Sequence, residues 1–187
     1  MTGEVPTRSP LSARTAELAR MASLTDGRVS VAEVPHLTQI SVRLEPALAP
    51  RLAFELPLAP NTVAGDMARA ALWLGPDEWL VVGAPGEGPA IVAEIDAALA
   101  GEHRSAVDVS GNRAVLELTG PGRRELLARG CPIDLHPRSW GPGRCAQTLL
   151  ARAQVIVQEL PQATRVFVRP SFGNYLVDWL LDAAPAP

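Results

Sequence analysis

The feature that most confines this chain is how the period of its apolar residues changes along residues 38–109. Ile40, Val42 and Leu44 alternate with Ser41, Arg43 and Glu45, the two-residue period of a half-buried strand. Residues 46–56 are rich in Ala and Leu and read as a short helix. Pro57, Pro60, Asn61 and Gly65 make residues 57–66 a loop. Residues 70–74 and 78–82 are strands that return on each other across the tight turn Gly75-Pro76-Asp77. Past Gly86 and Gly88, Ile91, Ile95, Ala98 and Leu99 recur at helical spacing, with Gly101 placed to end the helix. Residues 106–109 close the series. The order β-α-β-β-α-β is the split βαβ, or ferredoxin-like, arrangement, and it predicts an α+β fold.

Similar signals flank this unit. Ser9 and Pro10 read as the cap and first residue of a helix carrying Leu11, Leu18 and Met21, which Asp26-Gly27 ends. Residues 29–34 are a strand candidate. Downstream, Ala114, Leu116 and Leu118 form one face of a strand, and Gly120-Pro121-Gly122 opens a helix with Leu126 and Leu127 inside. A proline- and glycine-rich loop, 131–143, precedes three strands at 146–151, 154–159 and 165–168. Ser171 reads as the cap of a last helix that buries Phe172, Leu176, Trp179 and Leu180. The prediction is two lobes without a repeat: residues 29–110, ferredoxin-like, and residues 111–183. Residues 1–28 form a tail and helix in front, and residues 184–187 a tail behind.

Composition narrows the function. The 187 residues carry a net charge of −3, so no basic footprint invites nucleic acid. All 17 basic residues are arginine, which excludes Schiff-base, Walker-A and Ser-Lys chemistry, because each needs an amine. Cys131 and Cys145 cannot build a disulfide framework. Met1 to Pro10 holds no apolar leader, and no apolar run approaches the roughly 18 residues of a membrane span. A cytoplasmic protein without membrane contact is expected.

The candidate chemistries are thin. Cys131, His136 and Cys145 match no zinc spacing and lack an evident fourth ligand. Asp108, Ser110 and His136 hold the atoms of a hydrolase triad, without the elbow that exposes a nucleophile. Gly120-Pro121-Gly122-Arg123-Arg124 reads as a turn with solvated arginines rather than an anion site. Trp73 and Trp79, two of four tryptophans, flank a tight turn and serve either as core aromatics or as anchors of a protein interface. No catalytic, cofactor-binding or metal-binding residue is assigned.

Several motifs together are similar to one family. Trp73-Leu74-Gly75-Pro76-Asp77-Glu78-Trp79-Leu80, Asp108-Val109-Ser110, Leu118-Thr119-Gly120-Pro121, Gly130-Cys131-Pro132-Ile133-Asp134-Leu135-His136, and Arg169-Pro170-Ser171-Phe172 with Tyr175 and Trp179-Leu180 resemble the gamma subunit of heterotetrameric sarcosine oxidase. The resemblance runs from about residue 11 to 183. It implies a fold related to the folate-binding aminomethyltransferases of glycine cleavage. It also implies partners, the alpha, beta and delta subunits, in a complex that oxidises sarcosine to glycine. The methyl carbon leaves as formaldehyde or 5,10-methylenetetrahydrofolate, and oxygen leaves as hydrogen peroxide. FAD, FMN, NAD and zinc are then expected on other subunits, with tetrahydrofolate as co-substrate. The aminomethyltransferases carry an aspartate in the strand matching roughly residues 155–158. This chain has Val155, Ile156, Val157 and Gln158 there, with Glu159 the nearest carboxylate, so the resemblance implies a non-catalytic subunit. The rival expectations are a self-standing folate-binding transferase and an unrelated adaptor.

A subunit without reacting groups acts through binding energy. Its expected anchors are Trp73, Trp79 and Trp140, with Arg138 and Arg144, and residues 131–145 are expected to be a docking loop. Trp179 is assigned to the core.

Overall fold

The computed structural model describes residues 8–184. The elements follow in the order α1 (Thr15–Leu24), β1 (Ser30–Glu33), β2 (Thr38–Leu44), a 3-10 helix (Pro46–Arg51), β3 (Val63–Gly65), β4 (Arg69–Gly75), β5 (Glu78–Gly83), α2 (Gly88–Ala98), β6 (Arg104–Asp108), β7 (Ala114–Thr119), α3 (Arg123–Ala128), β8 (Cys145–Leu150), β9 (Ala153–Glu159), β10 (Ala163–Val168) and α4 (Pro170–Asp182). The tails expected at the two ends lie almost wholly outside the described residues.

The strands form two sheets, ordered β3-β4-β5-β2-β6 and β1-β7-β10-β9-β8, and the paired strands run antiparallel. The first sheet, read from β6, gives the ferredoxin-like order of the predicted unit, with β3 added at its edge. The helix expected at 46–56 shrinks to the 3-10 turn. Pro50 has no N–H to offer the carbonyl of Pro46, so an α-helical bond cannot form there. β3 occupies part of the stretch read as loop.

Alternation along the strands stacks the sheets. On β5, Trp79 and Val81 face α2, while Leu80 and Val82 face the second sheet. On β10, Val166 and Val168 face the helices, while Phe167 faces the first sheet. The result is four layers. Helix α2 covers one outer face through Ile91 and Ile95, α1, α3 and α4 cover the other, and an apolar seam joins the two sheets. Each fully buried Leu, Ile or Phe stabilises the stack by roughly 1.5–3 kcal/mol.

Three expectations are corrected. Residues 30–33 were expected in the first lobe, yet β1 pairs with β7, Val31 opposite Leu118. Val29 and Val31 thereby enter the core under α1, and the Gly122 N–H donates to the Arg28 carbonyl at 2.9 Å. Gly120, at φ +93, permits that approach, since a Cβ there would lie 2.4 Å from the Arg28 oxygen. Second, neither expected cap serves. Pro170 itself starts α4, where its fixed φ suits the first turn, and the Ser9 hydroxyl donates to Glu33 instead. Third, Phe172 is 41% exposed. The buried stripe of α4 is Gly173, Leu176, Val177 and Leu180, and Gly173 brings the helix onto Leu11. Trp179 packs partly buried against that core, with its ring over Gly130.

Candidate functional site

Glu159, at the end of β9, is the most enclosed charge among the described residues, with no side-chain surface exposed. It shares the parity of Val155 and Val157, so it turns toward the helices. Its Oε1 accepts from Arg123 Nη2 at 2.9 Å and from Arg124 Nη2 at 2.7 Å and Nε at 3.1 Å. Its Oε2 accepts from the Thr164 hydroxyl at 2.6 Å and the Trp140 indole N–H at 3.0 Å. A carboxylate removed from water requires such a set, because unpaired burial costs several kcal/mol. The cluster ties together the start of α3, the 131–145 loop and the β9–β10 hairpin. The arginines expected to be solvated are therefore clasped inward.

This geometry decides what Glu159 can do. Both oxygens are committed to donors of the chain itself, so no lone pair is left for proton handling on a substrate. Gln158 points to the opposite face, between the sheets, where an amide has no such basicity.

The loop 131–145 is held rather than free. Cys131, Leu135, Trp140 and Cys145 are buried along it. The Asp134 carboxyl is held below the ordinary carboxylate range, first by Ser139 and then by the His136 N–H at 2.9 Å. Ser139 and Trp140 both donate their N–H to the His136 carbonyl. Beyond Trp140 the loop becomes part of the join between the sheets. Val63 N–H donates to the Gly143 carbonyl, and Cys145 N–H donates to that of Asn61. The Cys145 thiol lies 3.3 Å from the Thr62 oxygen and 3.5 Å from that of Trp73, and burial pushes its pKa up to about 11.

Of the expected anchors, two are not at the surface. Trp79 is 0% exposed and donates its indole N–H to the Pro57 carbonyl at 2.8 Å. Trp140 is 5% exposed and spends its N–H on Glu159. Both belong to cores because each finds a buried acceptor, which an interface tryptophan waiting for a partner would not need. Trp73 stands directly opposite Trp79 and is half-buried over the α2 core. Arg138 and Arg144 are exposed and make no ion pair among the described residues. The structure also exposes an edge-to-face pair, Phe172 and Tyr175, with ring centroids 6.3 Å apart. Helical periodicity alone assigns Phe172 to the interior.

The other sequence candidates do not converge. Ser110 donates to Asp108 at 2.5 Å within one turn, and His136 Nδ1 accepts the Arg138 N–H at 3.2 Å in another. Among the described residues no group of three or more His, Cys, Asp and Glu side chains is placed to hold a metal ion. No described helix is long and apolar enough to cross a membrane.

Comparison with known proteins gives a consistent result. The family described as sarcosine oxidase, gamma subunit family, matches residues 42–186. The sarcosine oxidase subunit gamma of Corynebacterium sp. (strain U-96) is 38% identical over 94% of this chain and 89% of that protein. The subunit gamma of an Arthrobacter species is 42% identical over 85% of this chain and 81% of that protein. Among solved structures, a chain of the heterotetrameric sarcosine oxidase from Corynebacterium sp. U-96 superposes with a TM-score of 0.87 at 37% identity, covering 95% of this chain and 94% of that one. Aminomethyltransferase T of the glycine cleavage system from Bartonella henselae shares the fold, with a TM-score of 0.64 at 14% identity over 88% of this chain and 48% of that one.

Proposed function

Because this chain belongs to the gamma-subunit family of sarcosine oxidase, we propose that it works as the non-catalytic gamma subunit of such a complex, holding the other subunits in place. The observation that carries this reading is the 0.87 superposition on a chain of a heterotetramer, which spans both chains almost end to end. The complex would act in the cytoplasm on sarcosine, releasing glycine and hydrogen peroxide, with the methyl carbon leaving as formaldehyde or 5,10-methylenetetrahydrofolate. The partners would be the alpha, beta and delta subunits, and FAD, FMN, NAD and zinc would sit on them. The full commitment of Glu159 supports a role without chemistry on this chain. Arg138, Arg144 and the open edge of Trp73 are the anchors retained for docking.

The test is co-expression of this tagged chain with the three candidate partners. Recovery of a stoichiometric complex that turns over sarcosine is expected. A chain that stays alone while the other subunits are soluble overturns the reading. The shared fold with an aminomethyltransferase motivates a second measurement, calorimetric titration of the isolated chain with tetrahydrofolate. Stoichiometric binding with methylene transfer would establish the self-standing transferase instead.

A further inference from the structure

Beside the connection from β1 to β2 lies a cavity of about 280 Å³, lined in part by Glu33, His36, Gln39, Ser110 and Arg113. Most polar groups on its wall are occupied. Glu33 accepts from the Ser9 hydroxyl and the Leu11 N–H. The Ser110 hydroxyl donates to Asp108 and accepts the Gln39 N–H at 3.0 Å. The Gln39 amide nitrogen donates to the Arg113 carbonyl at 3.0 Å and reaches that of Ser110 at 3.5 Å.

One buried and one half-buried group remain without partners among the described residues. Gln39 is 1% exposed, and its Oε1, closed off from solvent, meets no donor among the described residues. A buried acceptor in that state has lost its hydration without replacement, so it is a rare feature in a finished fold. Arg113 is half-buried and makes no ion pair among the described residues, whereas Arg43, Arg69 and Arg165 each hold a carboxylate. Burial and the neighbouring charge of Arg169 both press against its positive charge, and Glu78 offsets them only in part. Arg8 and His36, both exposed, are the remaining titratable groups on the wall, His36 at φ +60.

The cavity thus lacks an anion for Arg113. The carboxylate of an extended peptide carrying Asp or Glu supplies it, and an apolar side chain does not. Glu33, Pro35 and His36 also line an adjoining groove of about 860 Å³ along α1 and β1, which gives a chain segment a path inward.

We propose that the cavity beside Arg113 is a socket for an acidic loop of a partner subunit, whose carboxylate pairs with Arg113. The proposal rests on the gamma-subunit reading, and its test separates the two. The full chain, wild type or Arg113→Glu, is co-expressed with the other subunits. Wild-type complex should form, and R113E should reduce its recovery at least tenfold while the isolated variant melts within about 2 °C of wild type. Hydrogen exchange supplies a readout independent of the variant: amides of residues 34–39 and 110–113 should slow at least tenfold in the wild-type complex. Normal assembly of R113E, or unchanged exchange of those amides, overturns the socket and leaves the gamma-subunit reading standing. Failure of wild type to assemble overturns that reading and the socket with it. A version starting at Arg8 covers the remaining occupant. If the free full-length chain already protects those amides and the shortened one does not, the chain fills its own cavity and the proposal fails.

Discussion

At Glu159 a carboxylate shut away from water meets two arginines, a hydroxyl and an indole N–H, whereas at Arg113 a half-buried guanidinium meets no carboxylate among the described residues. Both sites lie at strand ends and both draw on the same residue types. They differ in closure. Removing a charge from water costs several kcal/mol unless donors or acceptors replace the lost hydration. The described residues supply those replacements at Glu159 and not at Arg113. A closed cluster is a part of the fold, because its members satisfy one another before any partner arrives. An open one keeps interaction free energy available for a partner.

The largest expected effect is at the closed site. Glu159→Gln keeps the shape but leaves Arg123 and Arg124 facing a neutral amide. Removing one member of a buried ion cluster typically destabilises by about 3–5 kcal/mol. Urea unfolding of the isolated chain should show that loss. A change below about 1 kcal/mol would break the comparison, since Glu159 would then be no more structural than an exposed acid.

Trp140 is next. Its truncation to Ala removes a buried ring and a donor to Glu159, and should cost about 3 kcal/mol in thermal or urea unfolding of the lone chain. Trp140→Phe separates the two parts, keeping most of the bulk while leaving Oε2 one donor short, for a loss of about 1–2 kcal/mol. Unaltered melting of Trp140→Ala with loss of assembly would return this residue to the interface.

These two residues mark where the sequence stops being legible. The β-α-β-β-α-β order could be read because its signals are local: period-two alternation, a tight turn, helical spacing ended by glycine. The second-lobe strands at 146–151, 154–159 and 165–168 were legible for the same reason and appear as β8, β9 and β10. Membership of β1 in the other sheet was not, because nothing within residues 29–34 says which edge they join. Glu159 and its partners Arg123, Arg124, Trp140 and Thr164 meet only after β9, β10, α3 and the loop are in place. A tryptophan in a proline-glycine loop reads as exposed until its acceptor is known. Gln39 and Arg113 left no trace at all, since what distinguishes them is a missing partner.

A middle-sized effect concerns pH and the join between the sheets. Burial raises the Cys145 pKa from 9.0 to about 11, so the fold favours the thiol over the thiolate. The unfolded chain loses this proton near its ordinary value, and the folded chain holds it until higher pH. The contribution is complete below about 9 and is lost as pH rises through about 11, a total of roughly 3 kcal/mol. Urea midpoints at pH 8 and 10.5 should diverge accordingly. Cys145→Ala should remove this part of the slope, and an unchanged slope in that variant would assign the pH dependence elsewhere.

The smallest effect on stability belongs to the exposed arginines of the loop, and it sharpens the comparison most. Arg138 and Arg144 stand outside the buried side of residues 131–145, with no ion pair among the described residues to lose. Replacing either by Ala should therefore change the unfolding free energy of the isolated chain by no more than about 0.5 kcal/mol. Their worth lies in binding. An arginine at the centre of an interface costs about 2 kcal/mol or more when truncated, while one at the rim costs far less and acts on the association rate and its salt dependence. Measuring dissociation of the co-expressed complex across a salt series separates these positions. Faster dissociation at every salt concentration places the residue in the centre, and slower association confined to low salt places it at the rim. If both single variants assemble as wild type does at all salt concentrations, the loop's outer surface carries no docking role. The open charge at Arg113 would then stand as the anchor for the comparison to rest on.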